Sequence, residues 1–342
     1  MRLSSVRSLK TELLTVSVQA ARSVLESSSS PFKTFSTPRV MAQQTMNGIA
    51  LGVSVVKKND YRLAVRLQQT GPLVSAMTEE IQKKAKGEVD IAEIGSIVKF
   101  PSEKSPAFYQ QERRPLRIGS SIGDVPAPGT INAGTLGCFV VRRKAPFYLG
   151  ILSNNHVVAN ENDNSIGTLI CQPGTLDGGV FPDDEIGELG KVVKLKFGTN
   201  LVDAAVADLY EGIEFDSVSI GKLGDLAGQA SVFDLPSKAT VHKVGRTTGQ
   251  TSGRITAFDI DNVRVQYDMG VLRFDNQIEI EGAGTKAFSD SGDSGSLIVD
   301  DQLRAIGLLF AGGNVGGSNG KGLTYANPIE TVLDALKVDL LI

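Results

Sequence analysis

Residues 291–296 read Ser-Gly-Asp-Ser-Gly-Ser, and an apolar run over residues 297–299 follows directly. Glycines on both sides of Asp293 and Ser294 predict a tight loop before a β-strand, because glycine adopts backbone angles that other residues avoid. A loop that only connects two elements does not need such a bend. A loop that presents a hydroxyl beside backbone N–H groups does, so this stretch predicts a nucleophilic serine at Ser294.

The composition is that of a globular protein, with 342 residues, 41% of them hydrophobic and 21% charged, and a net charge of −3. At about 150 residues per domain, this length predicts two or three units. The basic surface of a nucleic-acid-binding protein is not indicated, and no apolar run approaches the roughly 18 residues of a membrane span. We therefore expect neither a nucleic acid nor a membrane as partner. The apolar run near the N-terminus is too short and too polar for a signal peptide, which favours a cytoplasmic protein.

Three segments are predicted ahead of the main domain. Residues 1–44 predict an amphipathic helix followed by a polar linker that contains prolines. Residues 45–100 carry two strand patterns, a helical pattern and a third strand pattern, which predict a small ββαβ module. Residues 101–132 contain several prolines and are predicted to be a second linker, so that residues 133–342 form the main domain.

The main domain shows many short strand patterns separated by glycines. Residues 263–267, Val-Arg-Val-Gln-Tyr, alternate strictly between apolar and polar, which indicates one buried face and one face in water. Short strands with almost no helix between them favour antiparallel barrels or a sandwich. The residues therefore predict a fold that is mainly β.

A serine nucleophile needs a base, and the chain has two histidines. His242 lies inside an alternating strand pattern and is predicted to be structural, whereas His156 follows a strand pattern at the start of a loop. Asp203 heads an apolar strand pattern, where a carboxylate buried alone is costly. A histidine partner removes that cost and fixes the tautomer of the ring. We therefore predict that His156 is the base, Asp203 the orienting acid and Ser294 the nucleophile.

The order of these three residues separates the classes of serine hydrolase. An α/β-hydrolase carries G-x-S-x-G and places its histidine last, but here Ser296 occupies the second glycine position and no histidine follows. A subtilisin places the acid before the histidine. The order found here is that of chymotrypsin.

Further motifs carry a resemblance to a known family. They are Thr135-Leu136-Gly137 and residues 153–157, 200–205, 245–249 and 308–312. On these motifs, residues 133–335 resemble trypsin-like serine proteases, and more narrowly the group of bacterial trypsin-like peptidases and plant narrow-leaf proteins. The resemblance implies a chymotrypsin-like double antiparallel β-barrel with the triad between the barrels, an extra N-terminal region, and a homo-oligomer. It also implies a serine endopeptidase that acts on protein or peptide substrates.

The resemblance gives the tight loop a second role. The backbone N–H groups of Gly292 and Ser294 would form the oxyanion hole that stabilises the developing charge. The alternative is a catalytically silent pseudo-protease that serves as a peptide-binding or assembly scaffold. An intact triad favours the peptidase over this alternative.

The resemblance also implies a substrate pocket. Phe288, six residues before the nucleophile, would lie at its base. Phe310-Ala311-Gly312 would form its wall and pair with the substrate backbone as an added strand. Leu323 and Thr324 would line the opposite side. Such a pocket would accept small or medium apolar side chains, unless Asp290 turns towards it and accepts a basic one.

No motif predicts a cofactor or a metal ion. The acidic residues Asp177, Asp183, Asp184 and Glu185 lack the spacing of a calcium loop. The two cysteines, Cys138 and Cys171, are too few for a disulfide framework. We expect two buried thiols, with a single disulfide as the alternative.

Overall fold

The structure is a computed structural model that describes residues 1–27, 48–99, 108–125 and 132–342. Four α-helices occur in these ranges, and none combines the length and hydropathy of a transmembrane span. The linker predicted between the first helix and residue 44 lies outside the described residues. The elements up to residue 99 are α1 (Leu3–Ser27), β1 (Ile49–Lys57), β2 (Asp60–Leu67), α2 (Pro72–Lys84), β3 (Val89–Glu93) and β4 (Ile97–Val98).

The elements of the main domain are mostly strands of two to nine residues, with one of 13. The first part contains β5 (Leu116–Arg117), β6 (Ser121–Asp124), β7 (Gly134–Thr135), β8 (Cys138–Arg142), β9 (Leu149–Ser153), α3 (Asn155–Val158), β10 (Leu169–Cys171), β11 (Glu185–Val192), β12 (Thr199–Asn200), β13 (Ala205–Leu209) and β14 (Phe215–Asp216). The second part contains β15 (Thr240–Gly245), β16 (Gly249–Asp261), β17 (Val263–Tyr267), β18 (Gly270–Phe274), β19 (Gln277–Gly282), β20 (Leu297–Asp300), β21 (Ala305–Gly313), β22 (Leu323–Pro328), α4 (Ile329–Leu336) and β23 (Val338–Leu340).

Six strands of the second part form a closed barrel. β15, β16, β19, β22, β21 and β20 pair in this order, each antiparallel to the next, and β20 returns to β15. The other large sheet runs β23-β8-β9-β13-β11-β10-β6-β7 and curves as a half-barrel. Closure and curvature bury the alternate apolar side chains of strands too short to form a stable flat sheet. The predicted mainly β, chymotrypsin-like double barrel is thereby confirmed.

The N-terminal elements continue the barrel sheet. β1 and β2 are antiparallel, β3 adds parallel to β2, and α2 connects them. β1 also pairs with the far end of β16, where Val53 faces Phe258. This is feasible because β16 has 13 residues and extends beyond the closed barrel. The ββαβ arrangement is therefore joined to the barrel by backbone pairing.

Helix α1 packs on this extension. Val6 and Leu13 are buried in the cluster that contains Ile49 and Leu51 of β1. Lys10 Nζ lies 2.9 Å from Oδ1 of Asp259 and 2.9 Å from Oδ2 of Asp261, at the end of β16. Over the residues whose side chains the structure describes, the apolar face of the helix therefore packs within the same chain.

Part of the segment predicted to be a linker, residues 101–132, forms β-strands instead. β5 pairs with β14, and β6 pairs with β7 and β10 in the half-barrel. Ile118 and Ile122 are buried. Strands of two to four residues are too short to show an alternating pattern, so the prolines dominate the sequence signal. Residues 100–107 and 126–131 lie outside the described residues.

Both cysteines are free thiols in the interior. Cys138 and Cys171 are buried and form no disulfide, which confirms the expectation of two buried thiols. Burial raises the pKa of Cys138 to about 12. A thiol with this pKa stays protonated and behaves as a small apolar side chain.

Candidate active site

His156 lies in α3, the single helical turn directly after β9. Its Nδ1 lies 2.5 Å from Oδ2 of Asp203, and its backbone N–H donates to Oδ1 of the same carboxylate over 3.3 Å. The side chain of Asn154 ties this corner to the start of β13, because its Nδ2 donates to the backbone oxygen of Asp203 over 2.7 Å. Held in this way, the ring carries its proton on Nδ1 and leaves Nε2 as the acceptor.

Asp203 is fully buried, two residues before β13. Burial by itself would raise the pKa of this carboxyl, but the electrostatic interaction with His156 and hydrogen bonds from His156 and Tyr267 hold the pKa below its usual value. The Tyr267 hydroxyl donates over 2.6 Å to Oδ2. Burial and the nearby charge of Asp203 raise the pKa of Tyr267 well above its usual value. The phenol therefore remains a protonated donor to an ionised carboxylate.

The loop that carries Ser294 requires its two glycines. Gly292 has φ 88° and Gly295 has φ 92°, both in the left-handed region. A Cβ at Gly292 would clash with the guanidinium of Arg246, and one at Gly295 would clash with the backbone oxygen of Thr135. Positive φ and close approach together explain the Gly-x-x-Gly spacing.

Asp293 holds this loop from inside the barrel. Its Oδ1 accepts the backbone N–H groups of Thr247 and Thr248 over 2.9 and 3.1 Å. Its Oδ2 lies 3.1 Å from Nζ of Lys243, and both side chains are fully buried. Burial lowers the pKa of Lys243, against the charge of Asp293, which raises it. The loop is therefore fixed by a buried ion pair that does not involve the serine hydroxyl.

The two halves of the site meet at β7. The backbone N–H of Thr135 donates to the oxygen of Ser294 over 2.8 Å, and the Thr135 hydroxyl donates to the oxygen of Gly292 over 2.9 Å. At Gly134, an added Cβ would lie 2.5 Å from a methyl group of Val157, the neighbour of His156, and 3.1 Å from the oxygen of Ser294. The glycine therefore allows α3 and the Ser294 loop to approach the same short strand.

Several polar atoms at this junction lack a partner. The hydroxyl of Ser294 and Nε2 of His156 are buried, and neither has a hydrogen-bond partner among the described residues. The described part of the chain also offers no acceptor for the backbone N–H groups of Gly292 and Ser294, whereas that of Asp293 donates to Asp290 over 3.0 Å. Buried polar groups are rarely left unpaired. These four groups therefore mark the place where a ligand would complete the hydrogen bonding.

The predicted pocket residues are placed in two regions. A cavity of about 100 Å³ is lined by Phe288, Asp290, Leu323 and Thr324 among others. Ser289 and Thr324 make part of its wall polar, and their hydroxyls are hydrogen-bonded to each other over 2.6 Å.

The three apolar side chains do not meet in one pocket. The ring of Phe288 points into the closed barrel, where Gly253 leaves room for it. The ring of Phe310 packs against Phe274, with centroids 4.7 Å apart, in the cluster that includes Leu323. Phe310, Ala311 and Gly312 lie on β21 outside the lining of the cavity. The shallow apolar pocket expected from Phe288, Phe310 and Leu323 is therefore not formed.

Sequence reasoning missed the residues that support the site. Lys243 and Tyr267 occupy inward-facing positions of β15 and β17, and Asn327 accepts the backbone N–H of Asp203 over 2.9 Å. A lysine at an inward position of an alternating strand is the one available signal, because it needs a buried carboxylate. His242 is structural, with Nδ1 2.8 Å from Ser252 and Nε2 2.9 Å from Asp301.

Comparisons with known proteins place this geometry in context. Residues 201–341 match the family model of the Nal1 C-terminal domain. The chain is 26% identical over 206 residues to Protein NARROW LEAF 1 of Oryza sativa subsp. japonica, a match that covers 52% of this chain and 34% of that protein. The chain therefore spans about a third of the length of this relative.

Two solved protease structures are also similar to this chain. The Nocardiopsis protease is 18% identical with a TM-score of 0.46, over 66% of this chain and 100% of that chain. A glutamic-acid-specific serine protease is 20% identical with a TM-score of 0.45, over 66% of this chain and 100% of that chain. The match to the Nal1 C-terminal domain and the similarity to Narrow Leaf 1 confirm the resemblance to the plant narrow-leaf proteins.

Proposed function

We propose that this protein is a serine endopeptidase that hydrolyses peptide bonds in protein substrates. The observation that carries the proposal is the pairing of His156 Nδ1 with Asp203 at 2.5 Å, which leaves Nε2 of the ring unpaired, together with a buried Ser294 hydroxyl that is also unpaired. A histidine held by a buried carboxylate is a base, and a neighbouring hydroxyl is the group it would activate. The homo-oligomer and the cytoplasmic location stay predictions from the sequence.

The proposed reaction assigns one task to each group. Ser294 Oγ attacks the carbonyl carbon of the substrate while His156 Nε2 accepts its proton. Asp203 stabilises the imidazolium that results, and the ring then gives the proton to the leaving amine. Water repeats the sequence on the acyl-enzyme, which releases the acid and restores Ser294. Tyr267 keeps the carboxylate ionised and oriented throughout.

The backbone N–H groups of Gly292 and Ser294 would bind the oxyanion. Gly292 has a positive φ, and the N–H of the next residue, Asp293, donates to Asp290 within the loop. The N–H groups on either side, those of Gly292 and Ser294, have no acceptor in the described chain. Donors already fixed before the reaction need no reorganisation when the charge develops. The buried pair of Asp293 and Lys243 supplies this fixation.

One observation favours the alternative of a silent peptide-binding scaffold. Ser294 Oγ forms no hydrogen bond with His156 Nε2, so the pair is not closed in this structure. Such bonds are often long in the absence of substrate and tighten in the complex. The alternative therefore predicts a site that binds peptides but whose serine is unreactive.

A fluorophosphonate probe separates the two functions. We expect labelling of Ser294 in the wild type, no labelling of Ser294→Ala, and unchanged labelling of Ser291→Ala, a matched serine in the same loop. Hydrolysis of a casein substrate should follow the same order, with a loss on the order of 10⁶ in kcat for Ser294→Ala. A wild type that binds peptide but neither reacts with the probe nor cleaves would establish the scaffold instead.

A further inference from the structure

The edge of β21 beside the candidate site is covered by residues of the same chain. Leu309 of β21 is hydrogen-bonded to the Ser294 loop. Its backbone oxygen accepts the N–H of Gly295 over 2.9 Å, and its N–H donates to the backbone oxygen of Ser296 over 3.0 Å. Three residues further on, Gly312 is the antiparallel register partner of Val98 in β4. At about 3.3 Å per residue, this partner lies roughly 10 Å from the loop.

β4 fills a slot between two strands. Besides its antiparallel contact with β21, it pairs parallel with β17, where Ile97 faces Val265 and Val98 faces Gln266. The side chain of Ile97 is buried in the cluster that contains Phe310 and Tyr325. An extended segment held by backbone pairing, with alternate side chains buried, is how peptides bind by strand addition.

The residue that follows β4 is anchored in an acidic corner near His156. Lys99 Nζ lies 2.6 Å from Oδ2 of Asp268 and also contacts Glu161, which is buried five residues after His156. Glu161 is held in place independently of Lys99, because it also accepts the backbone N–H of Met269 over 2.9 Å. Since β4 runs antiparallel to β21, the step from Val98 to Lys99 leads towards the Ser294 loop.

β4 pairs with β21 over a much shorter stretch than β22, the other neighbour of β21. β22 pairs with β21 from Gly307 to Gly313, whereas β4 is two residues long and meets β21 at Gly312. Gly95 has φ 62°, and Gly313 approaches the backbone oxygen of Ser96, so the chain turns into the slot just before β4. A strand of two residues that lies outside the closed barrel can leave without disrupting it.

We propose that residues 94–99, Ile-Gly-Ser-Ile-Val-Lys, are a removable strap that occupies the peptide-binding slot between β21 and β17. The inference rests on the proposed peptidase function and adds both a regulation and a substrate class. Substrates are extended peptides with a branched aliphatic side chain at the place of Ile97 and a basic one at the place of Lys99. They bind only when the strap leaves.

A reversible disulfide tests the strap directly. Register partners in a sheet have Cα atoms about 5 Å apart, within the range that a disulfide bridges. Val98→Cys with Gln266→Cys, in a Ser294→Ala background, would lock the strap to β17 without touching β21. The two native cysteines are buried. The probe is a fluorescein-labelled Ile-Gly-Ser-Ile-Val-Lys peptide, and each single cysteine variant is a control.

We expect the oxidised double variant to bind this peptide at least tenfold more weakly than the reduced one, with the single variants unaffected by oxidation. An occupant present in about 99% of molecules reduces apparent affinity about 100-fold, so the difference is measurable by fluorescence polarisation. Equal binding in the two redox states, or no binding in either, contradicts the strap.

Release of the anchor should have the opposite effect. In the Ser294→Ala background, Lys99→Ala should bind the peptide at least tenfold more tightly than its parent, while Lys58→Ala, an exposed lysine in the β1–β2 turn, should leave affinity unchanged. A peptide with alanine in place of its lysine should bind more weakly. Unchanged affinity in Lys99→Ala would overturn the proposal.

Failure of the strap and failure of the peptidase are distinguishable. Fluorophosphonate labelling is carried out with Ser294 present, by a small probe that does not need the β21 slot. Labelled Ser294 together with equal peptide affinity in the locked and unlocked forms overturns the strap alone. Redox-dependent peptide binding without labelling supports the strap and overturns the peptidase.

Discussion

The two halves of the candidate site are held in different ways. On the half-barrel side, His156 and Asp203 are fixed by direct hydrogen bonds among the groups that would carry out the chemistry. On the closed-barrel side, Ser294 is fixed indirectly, through the buried pair of Asp293 and Lys243 beneath its loop. A change in the first half should therefore act first on the chemistry, whereas a change in the second should act first on stability and loop geometry.

The largest effect is expected from Asp203→Asn. The amide would present the wrong tautomer of His156, so kcat should fall by about 10⁴ while the fold is retained. Steady-state hydrolysis of a peptide substrate measures this loss. Asp301→Asn removes the carboxylate beside the structural His242 and is the matched control, with activity unchanged. Equal activity of the two variants would contradict the role of Asp203.

Lys243→Met tests the second half. It leaves the buried carboxylate of Asp293 without its cation, and breaking such a pair costs about 3–5 kcal/mol of unfolding free energy. Urea unfolding measures the loss, with the exposed Lys222→Met as control.

A double variant sharpens this prediction. Lys243→Met with Asp293→Asn removes both charges, so most of the stability should return, but activity should not, since the amide nitrogen that replaces Oδ2 of Asp293 cannot accept the backbone N–H of Asp290, which now lies 3.0 Å from that oxygen within the Ser294 loop. Recovery of activity together with stability would show that the Ser294 loop does not depend on this pair.

A smaller effect is expected from Tyr267→Phe, which removes one donor to the carboxylate of Asp203. A hydrogen bond to a charged group contributes about 1.5–3 kcal/mol, so stability and kcat should both decrease modestly. Tyr325→Phe removes an equally buried donor, to Glu279 over 2.9 Å, in the same apolar cluster but without a contact to Asp203. It should lower stability and leave kcat unchanged.

The pH dependence of Tyr267→Phe has a defined sign. The pKa of Asp203 is lowered in the folded protein, so its ionised form contributes stability that is present above the unfolded value near pH 4 and is lost as the pH falls through the folded pKa. Without the Tyr267 donor the pKa is lowered less. The stability difference between wild type and variant should therefore be constant above about pH 5 and shrink below pH 4, as measured by urea unfolding. A difference that does not change down to pH 3 would contradict the bond.

Local sequence patterns were sufficient to predict the loop that carries Ser294 and the fold class. Glycine spacing around Ser294 and the strict alternation of residues 263–267 reflect constraints within a few residues, which the chain records directly. The order of His156, Asp203 and Ser294 then selected among the serine hydrolases, because the order along the chain differs between unrelated folds.

Tertiary structure alone decided the features that depend on distant parts of the chain. Lys243 pairs with Asp293 across 50 positions, and Tyr267 reaches Asp203 across 64. The Phe288 ring turned into the barrel because Gly253, 35 residues earlier, leaves space for it, and β4 entered the slot beside Gly312 from the far N-terminal side. No local pattern encodes such contacts, since backbone pairing and burial are satisfied by whichever segment the closed barrel brings near.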